Sequence, residues 1–380
     1  MPLPVEFKSG KGSYLIDSEG KEYLDAVAGV AVCSVGHAHP EIADALADQA
    51  RTLIHTSNLY QITHQKALGE KLCALSRMDK VFFSNSGAEA NEAAIKLARL
   101  YGKSIGVERP NIIVMNGSFH GRTLATLSAT GSRKVQAGFS PLVEGFARVP
   151  YNDIEAIKKM AENNSDVVAV LVEPVQGEGG VIVPDADYLV QIRKICDDNN
   201  WLMMLDEIQT GMCRTGKWFA HQHTNITPDV MTLAKALGNG VPIGACLAAG
   251  KAKDIFSPGT HGSTFGGNPL ATRAGLTVID IMERENLCDA ATEMGQYFID
   301  SFKQALAGID GVADIRGHGM MIGIELEKDC GELVAQALEQ QLLINVTANK
   351  TIRLLPPLTL TKEQADTVVS TVSKLVKAFL

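Results

Sequence analysis

Helical and strand patterns alternate along most of this 380-residue chain, from about residue 40 to residue 270. Short apolar runs at 81–83, 111–115 and 167–172 are typical of buried strands, and helices are predicted at about 88–102 and 186–199. Alternation of this kind indicates an α/β fold in which helices cover a mostly parallel sheet. A chain of this length is also long enough for one large domain and a smaller one.

The two ends of the chain depart from this alternation. Residues 12–25 are predicted to form a hairpin that turns at 18–20. From about residue 275 the pattern predicts a long helix, then the segment 314–326, then helix, strand and helix. We therefore expect three parts: an N-terminal segment (1–45) that packs on the small domain, a large domain (46–274) and a smaller α+β domain (275–380).

Two apolar runs near the middle of the chain end in ionisable side chains. Residues 201–205 lead into Asp206, with Gln209 just beyond, and residues 228–234 lead into Lys235. Both runs read as strands whose C-terminal ends meet at the sheet edge where open α/β folds place their chemistry. This combination fits pyridoxal phosphate (PLP), because a lysine forms the Schiff base and an aspartate pairs with the pyridine nitrogen. Considered alone, Lys235 is more readily explained as a surface lysine at the end of a strand.

A phosphate site is predicted where Ser86, Gly87 and Ala88 open a helix. Free N–H groups and the positive end of the helix dipole suit a phosphate there, although a serine that only caps the helix is the alternative. A second glycine-rich turn, with Ser263 and Thr264, supplies hydroxyl groups. Phe119 lies on a glycine-flanked turn and either stacks on a cofactor ring or belongs to the core.

Charge and composition exclude several classes of protein. The net charge is −8 and no basic patch stands out, which argues against a nucleic-acid surface. The seven cysteines are scattered and odd in number, a pattern of reduced thiols in a cytosolic protein. No signal peptide and no apolar stretch of membrane-spanning length are present. We therefore expect a cytoplasmic protein with no membrane partner.

Six motifs occur in an order and spacing that resemble the class-III PLP-dependent aminotransferases. They are Ser-Gly-Ala-Glu-Ala-Asn (86–91), Phe-His-Gly-Arg-Thr (119–123), Glu-Pro-Val-Gln-Gly-Glu-Gly-Gly (173–180), Asp-Glu-Ile-Gln-Thr-Gly (206–211), the Lys235 segment and Gly-Ser-Thr-Phe-Gly-Gly-Asn-Pro (262–269). The chain is most similar to the branch of that family that acts on N-acetylornithine. The resemblance implies a fold-type I PLP-dependent transferase, with a mostly parallel seven-stranded sheet in the large domain.

The resemblance also implies a role for each site residue. Lys235 would carry the cofactor and shuttle protons, Asp206 would pair with the pyridine nitrogen, and Gln209 would bind the 3-oxygen of the ring. Phe119 would stack on that ring. Phosphate would be held by Ser86, Gly87 and Ala88, together with Thr264 and Ser263 from a partner subunit. A homodimer with shared active sites is therefore expected, and no metal site.

Three charged residues are candidates for substrate binding. A guanidinium binds a carboxylate through two parallel hydrogen bonds, which a transaminase that handles glutamate needs more than once. By resemblance, Arg133 would bind the α-carboxylate of N-acetylornithine and the distal carboxylate of 2-oxoglutarate. Arg353 would hold the α-carboxylate of glutamate, and Glu178 would pair with Arg353 when that carboxylate is absent. The products would be N-acetylglutamate 5-semialdehyde and glutamate, in arginine biosynthesis.

Several alternatives remain from the sequence alone. Val30 stands where ornithine aminotransferases of the family carry a tyrosine, which favours an N-acylated substrate but does not separate acetyl from succinyl donors. Succinylornithine, succinyldiaminopimelate, 4-aminobutyrate and ornithine are therefore alternative donors. His37/His39 and His221/His223 lack the partners of a metal site, and the Gly238–Gly240 and Gly317–Gly319 turns lack the third glycine of a dinucleotide site. A non-catalytic binding protein would not need Lys235, Asp206 and Gln209 together.

Overall fold

The computed structural model describes residues 2–380, which form fifteen strands and twelve helices in three sheets. The strands are β1 (Phe7–Lys11), β2 (Tyr14–Asp17), β3 (Glu22–Asp25), β4 (Lys80–Ser84), β5 (Asn111–Met115), β6 (Phe146–Val149), β7 (Val167–Val172), β8 (Leu202–Asp206), β9 (Val230–Leu233), β10 (Gly244–Ala248), β11 (Val312–His318), β12 (Met321–Leu326), β13 (Leu342–Leu343), β14 (Asn345–Thr347) and β15 (Thr351–Leu354).

The helices cover the sheets and connect their strands. They are α1 (Ala28–Ala31), α2 (Pro40–Thr52), α3 (Thr63–Ser76), α4 (Gly87–Ser104), α5 (Leu124–Ala129), α6 (Arg133–Gln136), α7 (Ile154–Asn163), α8 (Tyr188–Asp198), α9 (Pro269–Arg284), α10 (Leu287–Ala305), α11 (Leu333–Glu339) and α12 (Lys362–Phe379). Three short 3₁₀ turns, including Lys235–Leu237, occur as well.

The central sheet has seven strands in the order β4-β10-β9-β8-β7-β5-β6, and only β10 runs antiparallel to its neighbours. Every residue of β7 is buried, because apolar side chains on both of its faces are covered. The apolar face of α4 packs on one side of the sheet, and α7 and α8 pack on the other. This arrangement confirms the predicted α/β fold with a mostly parallel seven-stranded sheet.

Two four-stranded sheets flank the central one, with the orders β1-β2-β3-β13 and β11-β12-β15-β14. The predicted N-terminal hairpin is present, since β2 and β3 pair in antiparallel register. Strand β3 also pairs with β13, which lies more than 300 residues further along the chain. The N-terminal segment thus contributes to a sheet with the C-terminal part, while the domain boundaries at 45/46 and 274/275 stay a prediction.

The long helix expected after residue 275 is wrong in one respect, because the structure has two helices there. Helix α9 ends at Arg284 and α10 begins at Leu287. Between them Asn286 has a φ of 51°, in the left-handed region. Asparagine enters this region more readily than most residues. The periodic apolar pattern continues through the break and therefore conceals it.

The expectation that all cysteines are reduced is also wrong for one pair. Cys213 and Cys288 form a disulfide that joins residues 75 positions apart, whereas the other five cysteines are free. Cys213 lies in the loop after β8, and Cys288 lies in the first turn of α10. Sequence spacing does not reveal this pairing, because the fold alone brings the loop and the helix together.

A buried arginine, Arg214, stands where three parts of the chain meet. Its guanidinium donates hydrogen bonds to the carbonyl oxygens of Met320 and Pro356, at 3.2 and 2.6 Å, and to Ser34 Oγ at 2.8 Å. Burial lowers the pKa of Arg214 to about 9. No carboxylate within residues 2–380 forms an ion pair with it, so neutral acceptors from the N-terminal and C-terminal parts bind Nη1 and Nη2, while Nε has no partner there.

None of the helices within residues 2–380 combines the length and the apolar composition needed to cross a membrane.

Candidate active site

A cavity of about 420 Å³ opens at the carboxyl ends of the parallel strands of the central sheet. The loops that follow β4, β5, β7, β8 and β9 form its walls, as expected for ligand sites in open α/β folds. Among the residues that line it are eight of the predicted site residues: Ser86, Gly87, Ala88, Phe119, Glu178, Asp206, Gln209 and Lys235. The structure therefore brings most of the predicted site together.

Asp206, the last residue of β8, is held by side chains from other elements. Its Oδ2 accepts hydrogen bonds from Asn91 Nδ2 and His120 Nδ1, each at 2.8 Å, and its Oδ1 accepts one from the Ile208 N–H at 3.1 Å. Asn91 is oriented in turn by Thr232, whose hydroxyl donates to Asn91 Oδ1 at 2.8 Å. The carboxylate is 4% exposed, and this network fixes its position.

Lys235 follows β9 and begins a 3₁₀ turn with a φ of 45°. Left-handed geometry is unfavourable for a residue with a Cβ, and such strain commonly occurs at functional sites. Burial, together with the positive charge of Arg353, lowers the pKa of Lys235 to about 8, although Glu178, Asp206 and Glu173 oppose the shift. The free-amine fraction of Lys235 near neutral pH is therefore far larger than that of an ordinary lysine.

The predicted phosphate turn is an open helix N-terminus. Ser86 is the N-cap of α4, and its hydroxyl accepts a hydrogen bond from the Glu89 N–H at 3.2 Å. The Glu89 carboxylate accepts one from the Asn85 N–H at 2.7 Å. The first-turn N–H groups of Gly87 and Ala88 have no acceptor within a helix and lie at the cavity wall. These groups suit a phosphate, so the site fits that part of PLP.

Gln209 provides a second test of fit to the cofactor. Its Oε1 is buried and has no hydrogen-bond partner among residues 2–380. A Cβ at Gly177 would lie 2.1 Å from this oxygen, so only glycine leaves room for the Gln209 amide. A buried polar atom without a partner is uncommon in native proteins and indicates a missing group. The amide lines the cavity with Asp206 and Lys235. A protonated ring hydroxyl of pyridoxal would donate to Oε1 there, and with the amide turned over the NH₂ group would donate to the ring oxygen.

Arg353 and Glu178 form an ion pair at the edge of the cavity, with Nη1 of Arg353 2.6 Å from Oε1 of Glu178. Arg353 lies in β15, and Asn345 Oδ1 on the neighbouring strand accepts from its Nε and Nη2 at 3.1 and 2.7 Å. The guanidinium is thus nearly buried and held from two sides.

The remaining predicted site residues lie outside the cavity. Arg133 begins the short helix α6, its side chain is exposed, and it does not line the cavity. Ser263 Oγ accepts a hydrogen bond from Asn85 of the same chain at 3.3 Å, next to the phosphate turn. Thr264 is exposed, as is Phe265 beside it. Within one chain, therefore, Ser263 and Thr264 do not line the cavity in which the phosphate contact is predicted.

Four residues that line or support the cavity were not singled out from the sequence: Asn91, His120, Glu173 and Arg122. Arg122 lies with its guanidinium carbon 5.7 Å from the centroid of the Phe119 ring. Glu173 accepts a hydrogen bond from the Phe119 N–H at 3.1 Å, and burial and the neighbouring Asp206 raise the pKa of its carboxyl well above the usual range. All four lie in the family motifs, but the motifs do not reveal which side chains point inwards.

The histidine pairs considered from the sequence have separate partners. His37 contacts Asp25, and His221 contacts Glu207, at 2.7 and 3.2 Å. Over the described part of the chain, no three histidine, cysteine, aspartate or glutamate side chains group in a way that could hold a metal ion.

The chain matches known proteins over its whole length. The family model of the class-III aminotransferases matches residues 1–376. An acetylornithine aminotransferase of Nitrosomonas europaea is 58% identical over all of this chain and 96% of that protein. Among solved structures, the ornithine aminotransferase of Toxoplasma gondii has a TM-score of 0.96 at 34% identity, covering 100% of this chain and 92% of that one. The acetylornithine aminotransferase of Elizabethkingia anophelis has a TM-score of 0.88 at 34% identity, covering 99% and 94%.

Proposed function

Because this chain belongs to the class-III aminotransferases, we propose that it transfers the δ-amino group of N-acetylornithine to 2-oxoglutarate. The products are N-acetylglutamate 5-semialdehyde and glutamate, which places the enzyme in arginine biosynthesis. The observation that carries the proposal is the 58% identity over the full length of this chain to an acetylornithine aminotransferase. Within the site, the Arg353–Glu178 pair supports a transaminase that uses glutamate in only one of its two half-reactions.

Each part of the cavity has a partner on PLP. The N–H groups of Gly87 and Ala88 and the Ser86 turn would hold the phosphate, and Asp206 would hold a proton on the pyridine nitrogen. Gln209 would bind the ring oxygen, and Phe119 would pack on the ring face. When bound, PLP supplies an electron sink that makes the carbon bearing the substrate amine acidic. The buried Asp206 carboxylate maintains that property because Asn91 and His120 keep it in place.

Lys235 is the group that moves the proton. Its Nζ would take a proton from the δ-carbon of N-acetylornithine. As an ammonium group, it would keep that proton on the same side of the cavity for transfer to the cofactor. The lowered pKa, about 8, keeps the amine able to accept that proton near neutral pH. Burial of the surrounding carboxylates and apolar residues excludes water and limits loss of the proton to solvent.

Substrate carboxylates are bound by guanidinium groups at two ends of the cavity. The sequence favours Arg133 for the α-carboxylate of N-acetylornithine, but Arg122 lines the cavity and Arg133 does not. We therefore assign that role, and the distal carboxylate of 2-oxoglutarate, to Arg122. Arg353 would bind the α-carboxylate of glutamate after Glu178 moves aside. While N-acetylornithine reacts, Glu178 would neutralise Arg353, so that no second carboxylate is required.

A homodimer would complete the phosphate site. Thr264 and Phe265 are exposed on a glycine-rich turn whose neighbour Ser263 contacts the phosphate turn of its own chain. An exposed Thr264 next to this site suits a second copy, with its hydroxyl directed to the phosphate in the partner subunit.

A visible absorbance titration tests the proposed function. N-acetylornithine should bleach the long-wavelength band of the PLP-loaded protein, and 2-oxoglutarate should restore it, with glutamate formed in equal amount. A band that responds to ornithine, 4-aminobutyrate or succinylornithine, but not to N-acetylornithine, would change the assigned amine donor and leave the reaction type unchanged. Lys235→Ala is the control, since it should bind PLP without covalent attachment and show no turnover.

A further inference from the structure

The backbone beside the cavity contains an unusual left-handed turn. Four consecutive residues of α1 have positive φ: Ala28, Gly29, Val30 and Ala31, at 49°, 64°, 66° and 62°. This region disfavours residues with a Cβ, and a β-branched residue such as Val30 is a clear outlier there. A turn of this kind persists only when its surroundings hold it. The contacts of the preceding strand and the following loop identify what holds it.

Asp25, the last residue of β3, caps the turn. Its Oδ1 accepts hydrogen bonds from the N–H groups of Val27 and Ala28, at 2.9 and 2.8 Å. The Asp25 side chain is buried, so these bonds form away from water and constrain the backbone strongly.

His37 holds Asp25 from the other side, with Nε2 2.7 Å from Asp25 Oδ2. Burial opposes a charge on His37, but hydrogen bonds with Asp25 and Cys33 raise its pKa to about 9. The pair is therefore ionic at neutral pH, and a charged hydrogen bond of this kind is stronger than a neutral one. The loop that carries His37 is thus joined to the left-handed turn.

Asn239 connects the same loop to the turn of Lys235. Its side-chain amide accepts a hydrogen bond from the Val35 N–H and donates one to the Gly36 carbonyl, each at 3.0 Å. Asn239 stands four residues after Lys235. A continuous series of contacts thus runs from the Lys235 turn through residues 35–37 to Asp25 and the left-handed turn.

The left-handed turn leads directly to the wall of the cavity. Val32 follows it and lines the cavity, while Ala31 packs in a small apolar cluster with Val175 and Val181. Val175 and Val181 flank the segment that carries Glu178. The position of the turn therefore determines where Val32 stands relative to a substrate that extends from Lys235 towards Glu178.

We propose that Asp25 and His37 are positioning residues that set the substrate wall at Val32. This inference rests on the proposed transamination, because it concerns the fit of an extended amine donor in the same cavity. Neither side chain lines the cavity, so both act through the turn and not on the reacting atoms.

The test compares Asp25→Asn and His37→Gln with His39→Gln as the matched control. His39 lies in the same loop with a side chain 16% exposed, against 14% for His37, and its nearest acid, Glu285, is 4.0 Å away. We expect KM for N-acetylornithine to rise about tenfold in the first two variants, because each loses one charged hydrogen bond. Saturating kcat and PLP content, measured by visible absorbance, should stay within about twofold of wild type. His39→Gln should leave all three values unchanged.

Val32→Ala provides a second variant that removes the wall without touching the ion pair. It should also raise KM. This test remains available if Asp25→Asn does not fold. An unchanged KM in Val32→Ala would overturn the inference. A fall in kcat and in PLP content as large as the rise in KM in His37→Gln would overturn it as well. If wild type rejects N-acetylornithine, the proposed function fails separately. The ratio of the variant's KM to that of the wild type is then measured with whichever ω-amino donor the wild type accepts.

Discussion

Arg353 and Glu178 form an ion pair whose two members differ sharply in exposure. The Arg353 side chain is 2% exposed and the Glu178 side chain is 38% exposed. Asn345 holds the guanidinium from the opposite side, with its Oδ1 2.7 Å from Nη2. Glu178 can therefore rotate into solvent while Arg353 stays in place, and a substrate carboxylate can take its position.

The pair predicts opposite phenotypes for its two members. Arg353→Ala should slow the half-reaction with glutamate by at least about 100-fold, because a buried charged partner for the carboxylate is lost. The half-reaction with N-acetylornithine should lose much less. Glu178→Ala should instead favour glutamate, since Arg353 is then always available. Single-turnover absorbance measurements separate the two half-reactions, and equal losses in both for Arg353→Ala would contradict this assignment.

Arg122 and Arg133 predict a contrast between two nearby arginines. Arg122 lines the cavity and Arg133 lies outside it on α6. Arg122→Ala should lower kcat/KM for N-acetylornithine by about 100-fold, as expected for a lost charged hydrogen-bond pair. Arg133→Ala is the matched control and should remain near wild type. The reverse ranking in steady-state assays would restore Arg133 as the carboxylate site.

The network behind Asp206 predicts a graded loss of PLP affinity. Asn91→Ala removes a hydrogen bond to a charged carboxylate, which costs about 1.5–3 kcal/mol and should weaken PLP binding about 10- to 100-fold. Thr232→Val removes only the neutral bond that orients Asn91, so a loss of about fivefold is expected. Titration of cofactor-free protein with PLP measures both constants. An unchanged affinity in Thr232→Val would show that Asn91 acts without the help of Thr232.

The lowered pKa of Lys235 predicts how uptake of PLP depends on pH. Burial and Arg353 lower this pKa from 10.5 to about 8. Below pH 8 the reactive free amine declines about tenfold per unit, so the rate of covalent uptake should rise with pH and level off above about 8. Unfolding restores the ordinary pKa of Lys235, so between pH 8 and 10.5 the unfolded chain binds a proton that the folded chain lacks. The free energy of unfolding of the cofactor-free protein should therefore rise with pH across that window. Stopped-flow absorbance gives the rate, and a plateau only near pH 10 would contradict the buried-amine interpretation.

The disulfide predicts that reduction lowers stability. Closing a loop of 75 residues stabilises the folded chain by about 4 kcal/mol in the chain-entropy model. Urea unfolding with and without a reductant should show this difference in wild type but not in Cys288→Ser. Cys73→Ser, which removes a free thiol, should behave as wild type. Seven alkylated thiols in denatured, unreduced protein would show that the pair is not oxidised.

The sequence predicts the parts of the site that terminate strands. Asp206 and Lys235 end apolar runs, and those runs are the adjacent strands β8 and β9, so both side chains reach one sheet edge. Ser86 to Ala88 are predictable for a similar reason, because a serine-glycine turn before an amphipathic helix has a defined geometry. These positions depend on local patterns, which a single sequence contains.

The contacts that support these residues depend on the tertiary fold and were not predicted. Asn91 and His120 reach Asp206 across 115 and 86 residues, and nothing in their own segments identifies that contact. Arg122 and Arg133 both lie near glycine-containing turns, and only the fold determines which one faces the cavity. The Cys213–Cys288 pair is of the same kind, since one member lies in the loop after β8 and the other in α10.

Arg214 has a consequence for how this molecule can be divided. The acceptors that its Nη1 and Nη2 contact come from both ends of the chain, with no acid among residues 2–380 to replace them. A fragment cut near residue 45 or 275 would leave a cation in an apolar interior with part of its acceptors missing. The three parts that the sequence pattern distinguishes are therefore not modules that can be separated and recombined. Through Arg214 they depend on one another for their stability.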